Sequence, residues 1–146
     1  MITAIDTNVL VDIFEPDPIF GPTSRTALKR CLQEGSVVAC EVVWAEVVTA
    51  YGDKKKEVVT AMSQIGVKYS ALTLEAALEA ANCWFTFRKK NKARDRIVAD
   101  FLVGGHACIQ SDRLLTRNRG FYRDYFKPLK VISPPFLNQH QAEKSR

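Results

Sequence analysis

Ile2-Thr3-Ala4-Ile5-Asp6-Thr7-Asn8-Val9-Leu10-Val11-Asp12 is the stretch from which the rest of the chain is best read. Ile2 to Ile5 is a short, largely apolar run of the kind that forms a buried strand, and a carboxylate follows it at once. Thr7 or Asn8 then caps a helix that runs through Phe14 and is broken by Pro16 and Pro18. A strand buried on both faces belongs in a parallel sheet, and a parallel sheet needs helical crossovers.

The remaining sequence supplies them. Pro22 to Glu34 reads as a helix, with Ala27, Leu28, Cys31 and Leu32 on one face and Gly35 as its stop. Ser36 to Cys40 reads as a second strand. Glu41 to Tyr51 and Lys54 to Gln64 read as two helices divided at Gly52, and Val67 to Leu72 as a third strand. Thr73 caps a long helix, rich in Ala, Leu and Glu, that runs into the basic stretch Arg88-Lys89-Lys90-Asn91-Lys92. Ile97 to Ile109 is another helix, and Arg113 to Thr116 and Lys130 to Ser133 are short strands. Strands and helices in alternation predict an α/β fold: a three-layer α/β/α arrangement around a short, mostly parallel central sheet. Residues 1–134 are expected to form a single domain, and the polar residues 135–146 a flexible tail.

With 146 residues, of which 47% are hydrophobic and 25% charged, the chain has ordinary globular composition. No apolar run reaches the roughly 18 to 20 residues needed to cross a bilayer, and the amino terminus shows no secretory signal, so a cytoplasmic protein is expected. Cys31, Cys40, Cys83 and Cys108 have no C-x-x-C spacing and read as small buried apolar residues. The net charge of +5 is unevenly spread: Arg88 to Lys130 carries twelve Lys and Arg against four Asp. A basic half suits a polyanionic partner, although a solvated basic surface has the same composition.

Open α/β sheets place their sites at the carboxyl ends of the strands. Asp6 leaves the first strand there. Glu46 stands among Val42, Val43, Trp44, Ala45, Val47 and Val48 in a helix apolar almost all round, and Asp100 lies in the apolar run Ile97 to Val103. Each has a structural explanation when taken alone: Asp6 as a helix cap, Glu46 as partner of a buried arginine, Asp100 as a first-turn residue favoured by the helix dipole. Three ionised carboxylates in apolar surroundings are costly unless paired or bound to metal, and a hard divalent cation would relieve their repulsion. A cation so held can activate water and stabilise phosphoryl displacement.

Four motifs then carry a family resemblance. Asp6-Thr7-Asn8-Val9-Leu10-Val11-Asp12 resembles the opening D-T-N motif of PIN domains. Glu41 to Val47 resembles their second acidic helix, and Asp100-Phe101-Leu102-Val103-Gly104-Gly105-His106-Ala107 the third acidic segment of one VapC subgroup. Leu114-Leu115-Thr116-Arg117-Asn118-Arg119-Gly120-Phe121-Tyr122 resembles the closing T-R-D-R-G-F-Y motif. The resemblance spans residues 2 to about 133 in order. It implies a Mg²⁺- or Mn²⁺-dependent endoribonuclease of the VapC toxin type, with Asp6, Glu46 and Asp100 as catalytic and metal-binding acids. Thr7, Asn8, Thr116, Arg117, Asn118 and Arg119 become candidates for substrate contact, with caps and turns as their alternative role. It further implies RNA as substrate, often tRNA, a small cognate antitoxin and a homodimer, for which the apolar helices between Val42 and Met62 offer a surface.

The sequence departs from the family at Asn118, where a fourth acid is usual. Asparagine carries no charge and cannot act as a base, which leaves one metal held mainly by Asp6 and Asp100, with Glu46 positioning water and Asn118 as a neutral outer ligand. Asp112 is a poor substitute, since it precedes the strand that Asn118 follows. Asp12 reads as a solvent-facing helix residue. His106 and His140 read as structural or tail residues, and Gly104-Gly105 as a place where another backbone can come close. Arg117, Arg119 and Arg123, interleaved with Phe121, Tyr122, Tyr125 and Phe126, suit phosphate contact and base stacking, with core packing as the competing role of the aromatics. Two other classes compete with the nuclease. A phosphatase using an aspartyl intermediate would need an acid where Asn8 stands, and a degenerate PIN-like module would bind RNA or protein without cutting.

Overall fold

The computed structural model describes residues 1–15, 17–90 and 97–135. Its elements are β1 (Ile2–Ile5), α1 (Thr7–Phe14), α2 (Gly21–Glu34), β2 (Ser36–Ala39), α3 (Glu41–Ala50), α4 (Lys55–Gln64), β3 (Val67–Tyr69), α5 (Leu74–Lys90), α6 (Val98–Gln110), β4 (Arg113–Leu115), α7 (Arg119–Tyr125) and β5 (Val131–Ile132). The break expected at Pro16, the end of the basic stretch at Asn91 and Lys92, and the tail with His140 lie outside the described residues.

The strands form a five-stranded sheet in the order β3-β2-β1-β4-β5, parallel at every pairing. With its helices this is the α/β/α fold that the alternation of elements predicts. The chain winds outward from β1 through β2 to β3, then returns to the other side of β1 as β4. The strand order therefore reverses between β1 and β4, and a crevice opens beyond their carboxyl ends. Asp6 marks one lip of it and Thr116 the other, tied together by the Asp6 N–H donating to the Leu115 carbonyl at 3.0 Å.

The sheet core consists of small and branched residues: Ala4, Ile5, Val37, Ala39, Leu114 and Leu115 are buried. Arg113 is buried among them because both ends of its guanidinium are satisfied. Its Nε donates to Thr3 Oγ1 at 2.9 Å and its Nη2 to Glu34 Oε2 at 2.7 Å. The buried arginine's partner is thus Glu34, not Glu46.

Two local expectations change, the end of β3 and the exposure of Asp12. β3 ends at Tyr69 rather than Leu72, because the Leu72 N–H turns to the Glu41 carboxylate (2.9 Å) and the Thr73 N–H to Gln110 Oε1 (3.0 Å), drawing the chain off the sheet. Residues 119–125, to which the sequence reading assigns no element, form α7. Of the two roles open to its aromatics, base stacking and core packing, the structure supports packing: Phe121, Tyr122 and Phe126 are buried, with Phe121 and Phe126 ring centroids 5.3 and 6.3 Å from that of Phe101. The core reading of these rings is the right one. Asp12, expected in solvent, is buried. The glycine pair does permit close approach: a Cβ at Gly105 would strike the Ala76 carbonyl of α5, and one at Gly104 the Phe126 ring. Thr73 caps α5 as expected, accepting from the Ala76 N–H at 3.2 Å.

Candidate active site

Asp6 is placed by its role as the N-cap of α1. Its backbone is extended (φ −86°, ψ 155°), and Oδ1 accepts from the Thr7 N–H at 2.8 Å. The other oxygen is claimed from β4: the Thr116 hydroxyl donates to Asp6 Oδ2 at 2.8 Å, and Asn8 Nδ2 approaches the same atom at 3.4 Å. Thr116, fully buried, also accepts from the Asn118 N–H at 3.0 Å and from Asn8 Nδ2 at 3.3 Å. The cap reading and the site reading of Asp6 are therefore compatible, since capping fixes the carboxylate with an edge toward the crevice.

A cleft of about 370 Å³ is lined by Asp6, Thr7, Asn8, Glu46, Asp100, Arg117 and Asn118, together with Val11 and Val103. Three elements thus bring three acids to one place: Asp6 at the end of β1, Glu46 on α3 and Asp100 in the first turn of α6. Only Asp6 is buried; Asp100 is half-buried and Glu46 exposed. The expectation that all three sit in apolar surroundings is corrected. The apolar neighbours of Glu46 in sequence face other ways around α3, and its Oε1 accepts from the Thr7 hydroxyl at 2.9 Å. Asp100 Oδ2 reaches back toward the Ile97 N–H at 3.4 Å.

Electrostatics reports the same convergence. Burial raises the Asp6 carboxyl above its usual range and the Glu46 charge adds to the rise, while the Thr116 hydroxyl, the Thr7 N–H and the Tyr122 hydroxyl oppose it. The buried Tyr122 phenol is pushed far upward, first by desolvation and then by the charges of Asp6, Asp100 and Glu46. It remains a donor beside these acids. Sequence reading placed Tyr122 in the closing motif but missed this role, which only the inward turn of α7 reveals.

The donor set fits a hard divalent cation in kind, being carboxylate oxygens with an asparagine beside them. Among the described residues, however, no three Asp, Glu, His or Cys side chains are gathered tightly enough to hold a metal ion. The acids line one cleft without closing into a coordination shell.

The remaining candidates divide. Thr7, Asn8, Thr116 and Asn118 belong to the network just described. Arg117 lines the cleft but is already engaged, its Nε and Nη2 donating to Asp12 at 2.7 and 3.0 Å. Arg119 is exposed at the start of α7, outside the cleft lining. Asp112 lies at the opposite end of β4, where it accepts from the Ile2 N–H at 2.6 Å, so it supplies no charge to the cleft. His106 is buried against the Ser70 hydroxyl at 2.9 Å, with its pKa lowered by desolvation, and takes no part.

A parallel sheet with an acidic cleft at its strand-order reversal defines a class of α/β proteins whose chemistry sits beyond β1 and β4. The family is specific: the PIN-domain model matches residues 3–127, and the chain belongs to the PIN-domain family. Comparison with curated proteins returns no significant match. Among solved structures, the fold is similar to VapBC2 from Rickettsia felis bound to a DNA fragment from its promoter. That match has a TM-score of 0.72 at 17% identity and covers 92% of this chain and 99% of the other. VapBC-1 from nontypeable Haemophilus influenzae gives 0.69 at 16%, over 91% and 98%. Mycobacterium tuberculosis VapC20, described as a sarcin-ricin loop cleaving toxin, gives 0.51 at 12%, over 77% and 86%. At these identities the likeness is one of fold. Among the described residues no helix is long and apolar enough to cross a membrane.

Proposed function

We propose that this chain is a divalent-metal-dependent endoribonuclease acting in the cytoplasm as the toxin of a toxin–antitoxin pair. The observation that carries the reading is the convergence of Asp6, Glu46 and Asp100 on one cleft at the β1/β4 reversal. Membership of the PIN-domain family and the likeness to VapBC structures support it.

Asp6 and Asp100, with Glu46, would hold Mg²⁺ or Mn²⁺, which when bound supplies positive charge to the scissile phosphate and acidity to the attacking water. The chain's own residues do the rest. Thr116 and the Thr7 N–H orient the two Asp6 oxygens. Glu46, fixed through Oε1 by Thr7, keeps Oε2 outside that bond to accept a proton from the attacking water. Water attack forms a new P–O bond as the bond to the leaving ribose oxygen breaks. Thr7, Asn8 and Asn118, which line the cleft, would contact the phosphodiester, as would Arg119 at the start of α7. A small antitoxin and a second copy of the chain are the proposed protein partners, and tRNA is a candidate substrate.

One observation favours a second reading. Asn118 brings a neutral amide to a cleft whose family pattern has an acid, which suits a module that binds RNA or protein without cutting it. Incubating purified chain and an Asp6→Ala variant with total RNA and Mg²⁺ or Mn²⁺, with and without EDTA, separates the two. Cleavage lost with EDTA and in the variant is the expected result. RNA binding by folded protein with no cleavage in either metal would establish the binding module instead.

A further inference from the structure

The hydrolytic reading leaves one corner of the cleft without a role. There the Arg117 guanidinium lies over the Phe20 ring, 4.2 Å from its centroid. Phe20 is 41% exposed at the entry to α2, yet its backbone is pinned. Its N–H and that of Ile19 both donate to Asp17 Oδ1 at 2.8 Å. Behind the guanidinium, buried Asp12 takes Nε and Nη2 and also accepts from the Ser24 hydroxyl at 2.9 Å. The Arg117 N–H donates to Asn8 Oδ1 at 3.1 Å. Asn8 and Asp12 stand one turn apart on α1, so a single helix face grips residue 117 by its backbone and by its side chain.

This arrangement limits what Arg117 can offer a ligand. Asp12 takes its Nε and one Nη, so much of its charge is already offset before a phosphate could reach it. What the corner presents is planar surface: a ring with a guanidinium over it, the ring carried by a backbone held by Asp17 and the guanidinium held by Asp12 before any ligand arrives, at the edge of the cleft that Arg117 shares with Asp6. Unpaired nucleobases stack on aromatic rings and on arginine planes, and surfaces ordered in advance lose less entropy on binding. The guanidinium partner and the adjacency to the reacting cleft favour a nucleotide over an apolar side chain of a protein.

We propose that Phe20 and Arg117 form a nucleobase-stacking platform that seats an unpaired base of RNA beside the Asp6 cleft. The proposal rests on the RNA reading above and adds a requirement to it: the substrate is single-stranded where it meets this corner. Arg117, expected from sequence to contact phosphate, serves here through its planar face.

The test is binding of a short labelled RNA, single-stranded or in duplex, to the full chain in EDTA over a range of salt concentrations. Phe20→Ala is expected to weaken single-strand binding about tenfold, within the range for loss of one stacked base, and to leave duplex binding unchanged. The slope of log affinity against log salt stays as in the wild type, because no phosphate contact is removed. Phe20→Trp keeps the affinity and adds a fluorescence quench on binding the single strand. Urea unfolding of both variants confirms that they fold. Wild-type affinity in Phe20→Ala overturns the proposal, as does a salt slope reduced by about one, the mark of a lost phosphate contact. It is also overturned if RNA affinity holds while capture of a co-expressed antitoxin weakens. A wild-type chain that binds no RNA sinks both this proposal and the RNA reading; RNA binding indifferent to Phe20 sinks only this one.

Discussion

The Asp12–Arg117 pair makes an asymmetric prediction for a double-mutant cycle. Removing Arg117 (Arg117→Ala) strands the Asp12 carboxylate, whose side chain is 5% exposed and which then keeps the hydrogen bond from the Ser24 hydroxyl. Uncompensated buried charge of this kind costs about 3–5 kcal/mol. Removing Asp12 (Asp12→Ala) is milder, because the Arg117 side chain is 33% exposed and can turn to water. What it orphans is the fully buried Ser24 hydroxyl, at a cost of about 1–3 kcal/mol. The double variant orphans the same hydroxyl and strands no charge, so it should resemble Asp12→Ala and fall short of the sum of the singles by the cost of Arg117→Ala, about 3–5 kcal/mol. For a chain of 146 residues each kcal/mol lowers Tm by about 2–4 °C, so the ranking is resolvable by thermal or urea unfolding at neutral pH. Costs below about 0.5 kcal/mol, as at an ordinary surface site, or strict additivity would refute the claim that this pair is a buried clamp.

Two further outcomes follow from the Asp6 network. Because burial raises the folded-state pKa of Asp6, the stability that its neutral form contributes is complete below the unfolded value, about 3.9, and is lost as pH rises through the folded value. Asp6→Asn should therefore be more stable than the wild type at neutral pH, with the gap closing toward pH 4; unfolding curves across that range showing a constant or inverted gap would contradict this reading. Thr116→Val removes a charge-assisted hydrogen bond of about 1.5–3 kcal/mol to Asp6 and should shift the acid limb of the cleavage–pH profile upward; a profile displaced only in height would show that Thr116 does not tune Asp6.

The fold was legible because its signals are local. A short apolar run ending in Asp6, a proline-broken helix and repeated strand–helix alternation suffice to specify a parallel sheet, and Asp6 itself announces the crevice. What failed depended on contacts far apart in sequence. Asp12 looks solvent-facing beside Ile13 and Phe14, and only the return of β4 delivers Arg117 to it across 105 positions. Residues 119–125 contain Gly120 and carry no cap, so nothing local marks α7, whose helical form is set by aromatics that pack on Phe101. Glu46 was singled out for its apolar neighbours, but that argument assumed burial which the geometry of α3 does not impose. The three acids nevertheless line one cleft, although only Asp6 is buried.

The most direct test of the central claim, that three carboxylates serve one metal site, is Mn²⁺ binding to metal-free protein, followed by calorimetry alongside Asp6→Asn, Glu46→Gln and Asp100→Asn. The account predicts saturable binding by the wild type, strongest dependence on Asp6 and Asp100, and measurable weakening in Glu46→Gln. Equal binding by the wild type and all three variants, or no binding by a folded wild type, would contradict it.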